Sequence, residues 1–258
     1  MGLIPNSTFA LDDALGSYLE YLYQEGDPLG YAGDAISGLQ HFLPMLKRQL
    51  PTAWRLFGAW RKSEIPAQAP PFPDLVLAGL VGLSLHLGLD GLAAALAVAF
   101  HCYLRTGEVL GMRCSQLALS HGRGAVVLPQ TKKSIRDNVS ITDRHVAAVC
   151  QRRLAAGAPG DRLVACSAAQ ALALLKLLLH FFGLEGHGFR WYSCRRGGAT
   201  SDFRPHGLME KILVRGRWES SRTARIYVTD GVRALLEARL SGEQQRDLHF
   251  FAGLWLST

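Results

Sequence analysis

Residues 75–104 read LVLAGLVGLSLHLGLDGLAAALAVAFHCYL, thirty positions with a single charged residue, Asp90. A run this apolar either crosses a membrane or lies at the centre of a core. Asp90 and the glycines divide it into two stretches, each too short to span a bilayer, and Arg105 ends the second. The pattern therefore predicts two buried core helices and no membrane segment. With 48 % hydrophobic residues in 258, the chain has enough apolar side chain for a sizeable core of mainly α character.

Upstream of this pair, Leu11, Leu15, Tyr18, Leu19 and Leu22 recur at helical spacing up to Gly26. A second helix is expected through Ile36, Leu39, Leu43 and Leu46. A third opens on Pro51, with Trp54, Phe57 and Trp60 on one face. Residues 1–65 thus form a small helical domain. Between Ser63 and Pro73, four prolines in eleven residues stop any helix and stiffen the chain, so 66–73 is expected to be a linker. From 74 to 258 a second, larger domain follows. Short β-branched runs at LALS, AVVLPQTKK and DNVSIT, separated by turn residues, predict a small antiparallel sheet. Helices resume at Arg144–Ala155 and after Ser167, a good N-cap, and a further amphipathic helix is expected over 230–241. The segment 242–258 ends in HFFAGLWLST, apolar enough either to pack on its own domain or to dock onto a neighbour.

Charge is unevenly placed. Residues 1–73 hold 5 Lys+Arg against 7 Asp+Glu, and residues 74–258 hold 23 against 14, a net of +9. A polyanion, nucleic acid above all, is expected to meet the second part. The five cysteines, 102, 114, 150, 166 and 194, are odd in number and lack a CxxC pair. That spacing suits reduced thiols inside a cell and no zinc knuckle. The opening residues MGLIPNSTFALDD lack a basic segment followed by an apolar one, so an intracellular protein is expected.

The segment Arg190–Val228, RWYSCRRGGATSDFRPHGLMEKILVRGRWESSRTARIYV, is dense in arginine and carries Tyr227 near its end. Guanidinium groups grip phosphate oxygens bidentately and keep their charge at any working pH. Taken in order, the chain shows Arg105-Thr-Gly-Glu108 (RxxE), a Thr-Lys pair ending at Lys132 in the hairpin, YSCRRGGAT with Arg195, and GRWESSRTARIYV with Trp218 and Tyr227. In that order, and with 32 residues from Arg195 to Tyr227, residues 80–235 resemble the catalytic domain of the tyrosine recombinase (phage integrase) family. The wording RRGGAT followed by GRWESSRTARIYV is most similar to recombinases of eukaryotic transposons such as the DIRS and Crypton groups. The resemblance implies that residues 1–65 correspond to a shortened N-terminal DNA-clamping domain.

It also implies a chemistry. Tyr227 would attack the scissile phosphate of double-stranded DNA and leave a 3′-phosphotyrosine, so that rejoining requires no cofactor and no metal. Arg105 and Arg195 would clamp the non-bridging oxygens. Lys132 would protonate the leaving 5′ oxygen, a role worth about 10²–10⁴ in rate. Trp218 would pack on the phosphate and donate its indole N–H, and Glu108 would orient neighbours. Arg196, Arg217, Arg222 and Arg225 are expected among the DNA contacts, and self-association on DNA is implied. Where the family usually has His three residues before its second arginine, this chain has Tyr192, which donates a hydrogen bond but is a poor base at neutral pH. A literal HxxR, His187 to Arg190, lies five residues too early for the RRGGAT context. Two other readings fit the same sequence: a DNA-binding protein that has lost catalysis, and a helical protein–protein adaptor. In a eukaryotic host the protein would be nuclear.

Overall fold

The computed structural model describes residues 7–63, 68–128 and 137–257. The chain forms two compact units, Met1–Gln68 and Ala69–Thr258.

In the first unit, helix α1 runs Thr8–Glu25, opened by the Ser7 hydroxyl accepting from the Ala10 N–H and closed by Gly26 at φ 76°. Helix α2 spans Leu29–Phe42 and α3 spans Pro51–Ser63. The expected helix through Leu43 and Leu46 ends instead at Phe42, because Pro44 supplies no N–H and opens a separate 3₁₀ turn, Pro44–Leu46. Leu19, Leu22, Ile36, Leu50 and Trp60 form the core. Trp54, expected on the same face as Trp60, points outward instead. Asp12 is buried because its carboxylate accepts from the N–H groups of Thr52 and Ala53 at 2.8 and 3.0 Å, capping α3 from forty residues away.

In the second unit the two apolar stretches become α4, Asp74–His86, and α5, Asp90–His101. Both are buried nearly all round. A short helix α6 covers Thr106–Leu110. Strands β1 (Leu117–Ser120), β2 (Arg123–Leu128) and β3 (Asp137–Ile141) pair antiparallel in that order, with Val126 opposite Leu117 on one side and Val139 on the other. Helices α7 (Arg144–Ala155), α8 (Ala168–Phe181), α9 (Tyr192–His206), α10 (Met209–Gly216), α11 (Ser221–Arg225), α12 (Asp230–Arg239) and α13 (Gly242–Leu256) complete it. The protein is thus mainly α with one small antiparallel sheet, as its patterning predicts.

Ser167 does cap α8, its hydroxyl accepting from the Gln170 N–H at 3.2 Å. The apolar C-terminal segment packs on its own unit, as α13 against α4. Gly79 and Gly82 permit the approach: a Cβ at Gly82 would lie 1.8 Å from the Phe251 carbonyl oxygen. Among the described residues no helix is long and apolar enough to cross a membrane. Ala69 to Pro73 already belong to this unit, since Phe72 is fully buried and its N–H bonds the Ser193 carbonyl at 3.1 Å.

Candidate active site

Helix α9 is the floor of the site, and glycine sets how closely it lies on α5. A Cβ on Gly198 would stand 1.9 Å from the Phe100 carbonyl oxygen, and one on Gly197 2.6 Å from that of Phe72. The Gly-Gly pair of RRGGAT therefore serves close helix packing. This approach carries Arg195 fully into the interior, at 0 % exposure. Its Nη1 donates to the Tyr103 carbonyl and its Nη2 to the Gly216 carbonyl at 2.9 Å. A buried guanidinium without such acceptors would be strongly destabilising. Burial and the charges of Arg105 and Arg217 lower its pKa to about 10, so it stays protonated at neutral pH.

Tyr227 follows α11. The Arg195 guanidinium carbon lies 5.2 Å from the Tyr227 ring centroid and 4.7 Å from that of Trp218, and the two rings are 4.5 Å apart. Tyr192, one helical turn before Arg195, donates its hydroxyl to the Tyr227 hydroxyl oxygen at 2.6 Å. Burial raises the Tyr227 pKa, but the Tyr192 hydrogen bond, the Arg195 charge and the Trp218 indole outweigh it, and the net shift is downward. Tyr192 moves the opposite way, pushed up to about 12 by burial and by its bond to Tyr227. The pair is therefore polarised, with Tyr192 keeping its proton and Tyr227 the readier to lose its own. The Thr200 hydroxyl donates to the Tyr227 carbonyl and accepts from the Thr229 N–H, both at 3.2 Å, fixing the backbone around the tyrosine.

Arg105 does not close a helix. It stands before α6 as the N-cap residue, with its side chain half exposed, and Glu108 reaches back to its backbone N–H at 2.7 Å and its Nη1 at 2.9 Å. The other side of Glu108 receives both Nη groups of Arg217, at 3.3 and 2.9 Å. Burial raises the Glu108 pKa, yet its hydrogen bonds and the two guanidinium charges bring it below its usual 4.5. Of the arginines expected among the DNA contacts, Arg196 is buried, at 5 % exposure, and Arg217 is partly buried, its side chain 10 % exposed. Arg222 and Arg225 do lie exposed, on α11. Lys132 lies outside the described residues. His187 stacks on Phe189 instead of meeting Tyr227, so Tyr192 is the residue brought to the tyrosine.

Sequence reasoning missed Tyr103, Gly216 and Thr200. Two of these act through backbone carbonyls, which carry no side-chain signature. The third, Thr200, lies inside RRGGAT but was read there only as a letter of the motif. Gly216 has a second reason to be glycine, since a Cβ there would lie 2.0 Å from the Trp218 ring.

The sequence matches no protein-family model and no curated protein. Solved structures do resemble it. The XerH site-specific recombinase bound to palindromic difH substrate in a post-cleavage complex aligns with a TM-score of 0.58 at 12 % identity, covering 88 % of this chain and 70 % of that one. XerH in a pre-cleavage complex with difH substrate gives 0.56 at 14 % identity over 91 % and 70 %. XerA recombinase gives 0.52 at 16 % identity over 92 % and 93 %. The chain therefore shares its fold with these recombinases, a mainly helical unit with one small antiparallel sheet. At such identities the likeness concerns the backbone, and the site rests on its own geometry.

Proposed function

We propose that the protein cleaves and rejoins DNA strands through Tyr227. The observation that carries this reading is the polarised Tyr192–Tyr227 pair, 2.6 Å between hydroxyl oxygens, held against the buried Arg195 charge. A phenol whose pKa is lowered beside a fixed cation is suited to attack phosphorus. In the cleavage step the Tyr227 oxygen bonds to phosphorus, its proton passes to water, and the bond from phosphorus to the 5′ oxygen breaks. Lys132 gives the leaving oxygen its proton. Attack by a 5′ hydroxyl on the phosphotyrosine reverses the sequence and rejoins the strand. Arg105, the half-exposed arginine, meets the non-bridging oxygens, while Arg195 stabilises charge from beneath. Tyr192 assists as a donor to the forming phenolate, a role open to tyrosine where acceptance of a proton is not. Arg222 and Arg225 bind backbone phosphates beside the site. The motif wording RRGGAT to GRWESSRTARIYV supports placing the chain with transposon recombinases of the DIRS or Crypton type, acting as multimers on DNA in a nucleus.

The test uses pools of nicked or phosphorothiolate duplexes that trap covalent intermediates. Wild type is expected to leave a protein–DNA adduct on a denaturing gel, and Tyr227→Phe none. Salt-sensitive binding without any adduct would support the second reading, a DNA binder without catalysis. The commitment of both Arg195 Nη groups to backbone carbonyls is the observation that favours that alternative.

A further inference from the structure

Tyr103 is one of the largest fully buried side chains in the protein, and its backbone stands at φ 47°, a region that L-residues other than glycine seldom occupy. Its carbonyl is one of the two acceptors that hold Arg195. The other end of the same residue is held too: the Tyr103 hydroxyl donates to the Asp202 carboxylate. Asp202 lies seven residues beyond Arg195 on α9, two turns along the same helix face. Helix α9 therefore grips Tyr103 at both ends, by its backbone oxygen and by its phenol. Between the two grips the ring is flanked by the Arg215 guanidinium, 5.6 Å from its centroid, and by the Trp218 ring at 6.1 Å. Arg215 is fixed in turn, its Nε donating to the His101 carbonyl at 2.8 Å and lying 3.8 Å from Asp202.

A left-handed tyrosine persists only where its surroundings over-determine it. Here the residue that demands the conformation is the one whose carbonyl orients the buried cation. We infer that the Tyr103–Asp202 pair is a positioning element that keeps the Arg195 guanidinium in register with Tyr227, an inference resting on the proposed strand-cleavage reading. Neither residue contacts the tyrosine hydroxyl. Both act through Arg195.

Asp202 also lines a cavity of about 650 Å³, so its carboxylate retains access to water when the phenol is removed, and Tyr103→Phe keeps the ring in place. Single-turnover cleavage of a trapping duplex is expected to fall by about 10²-fold in Tyr103→Phe and in Asp202→Ala, the scale of a misplaced catalytic group, with DNA affinity retained. Asp202→Asn, whose carbonyl oxygen still accepts the phenol, should recover most of the rate. In an Arg195→Lys background Tyr103→Phe should add no further loss. A second readout needs no activity: guanidinium NMR signals of Arg195, assigned by their loss in Arg195→Lys, should show restricted rotation in wild type and free rotation in Tyr103→Phe. Variants that melt earlier but keep the wild-type cleavage rate and a restricted Arg195 would overturn the positioning role. If wild type forms no adduct, the strand-cleavage reading fails, and the NMR signals alone still decide whether Tyr103 holds Arg195.

Discussion

The seam between α4 and α13 and the small core beneath Tyr227 both depend on glycines, yet they are held together by opposite means. At the seam, Gly79 and Gly82 let α13 settle on α4, and Leu248, Phe251 and Trp255 fill the contact with apolar surface. Such packing is non-directional and tolerates small shifts. Beneath Tyr227 the buried apolar side chains are few: Tyr103, Ala199, Ile212, Trp218 and Ala224. Through them runs a guanidinium bonded to two carbonyls from different parts of the chain. Directional bonds locate a charge within a few tenths of an ångström, which greasy contact cannot do. The seam stabilises the unit, and the small core fixes where one positive charge sits.

The sharpest way to break this distinction is Arg195→Ala. It strips the cation from beneath Tyr227 and leaves the Tyr103 and Gly216 carbonyls without their partner. Single-turnover cleavage should fall by about 10²–10³ or more, the range seen when one fixed donor to a developing charge is lost. Stability should fall by about 1–3 kcal/mol for each orphaned carbonyl, measured by denaturant titration. Arg195→Lys is expected to rescue poorly, because a compact ammonium lacks the rigid planar fork that presents Nη1 and Nη2 separately to the two carbonyls.

Gly82→Ala tests the other region. Its new methyl meets the Phe251 backbone at 1.8 Å, so α13 must move. Overpacking of this kind costs about 1–3 kcal/mol and should appear as a lowered midpoint. Cleavage per folded molecule should hold steady. A slowed chemical step in fully folded Gly82→Ala would mean that the two regions are not separate.

The same contrast explains what was legible in the sequence. The seam announces itself: leucines, valines and glycines over 75–104 read as buried helices, and α4 and α5 form there. The sheet is legible for a like reason, as β-branched runs between turns. In the site, Tyr227, Arg195 and Trp218 were named from motif order, and the fold brings them within ring-stacking distance. Tyr103 was invisible, since a positive φ at a non-glycine residue leaves no mark in the sequence. Arg217 was expected among the DNA contacts; nothing local reveals that Glu108, 109 residues earlier, accepts from both its Nη groups. Helix α2 was drawn too long because apolar spacing continued across Pro44.

Glu108→Gln probes the edge of the small core with a smaller effect. The carboxylate separates Arg105 from Arg217, and its loss leaves two guanidinium groups facing a neutral amide. Cleavage should slow by about tenfold, equivalent to about 1.4 kcal/mol. Acid titration gives a second check. The folded Glu108 pKa lies below its ordinary 4.5, with burial opposing and the two arginines prevailing. A lowered folded pKa means that the contribution is complete above the unfolded value and disappears as pH falls through the folded one. Wild type should therefore lose stability below about pH 4.5 through this group, and Glu108→Gln should lack that component of the acid transition.

The smallest effect is expected from Arg222→Gln and Arg225→Gln. These two stand three residues apart on α11, neighbours on one helix surface, and both face solvent with no ion pair among the described residues. They resemble Arg195 in type and differ in what gives Arg195 its role: among the described residues no carbonyl accepts from their side chains and no ring packs on them. An exposed cation near a phosphate acts by displacing counterions, a term without directional demand. Each substitution should weaken duplex binding and lessen the slope of log K against log salt by about 0.9, read from binding isotherms at several salt concentrations. Arg222→Lys and Arg225→Lys should restore the slope, since a point charge suffices there, whereas Arg195→Lys should not restore cleavage. If lysine fails at 222 or 225 as it fails at 195, the α11 arginines are held as specifically as the buried one, and the division between a locked cation and open ones does not stand.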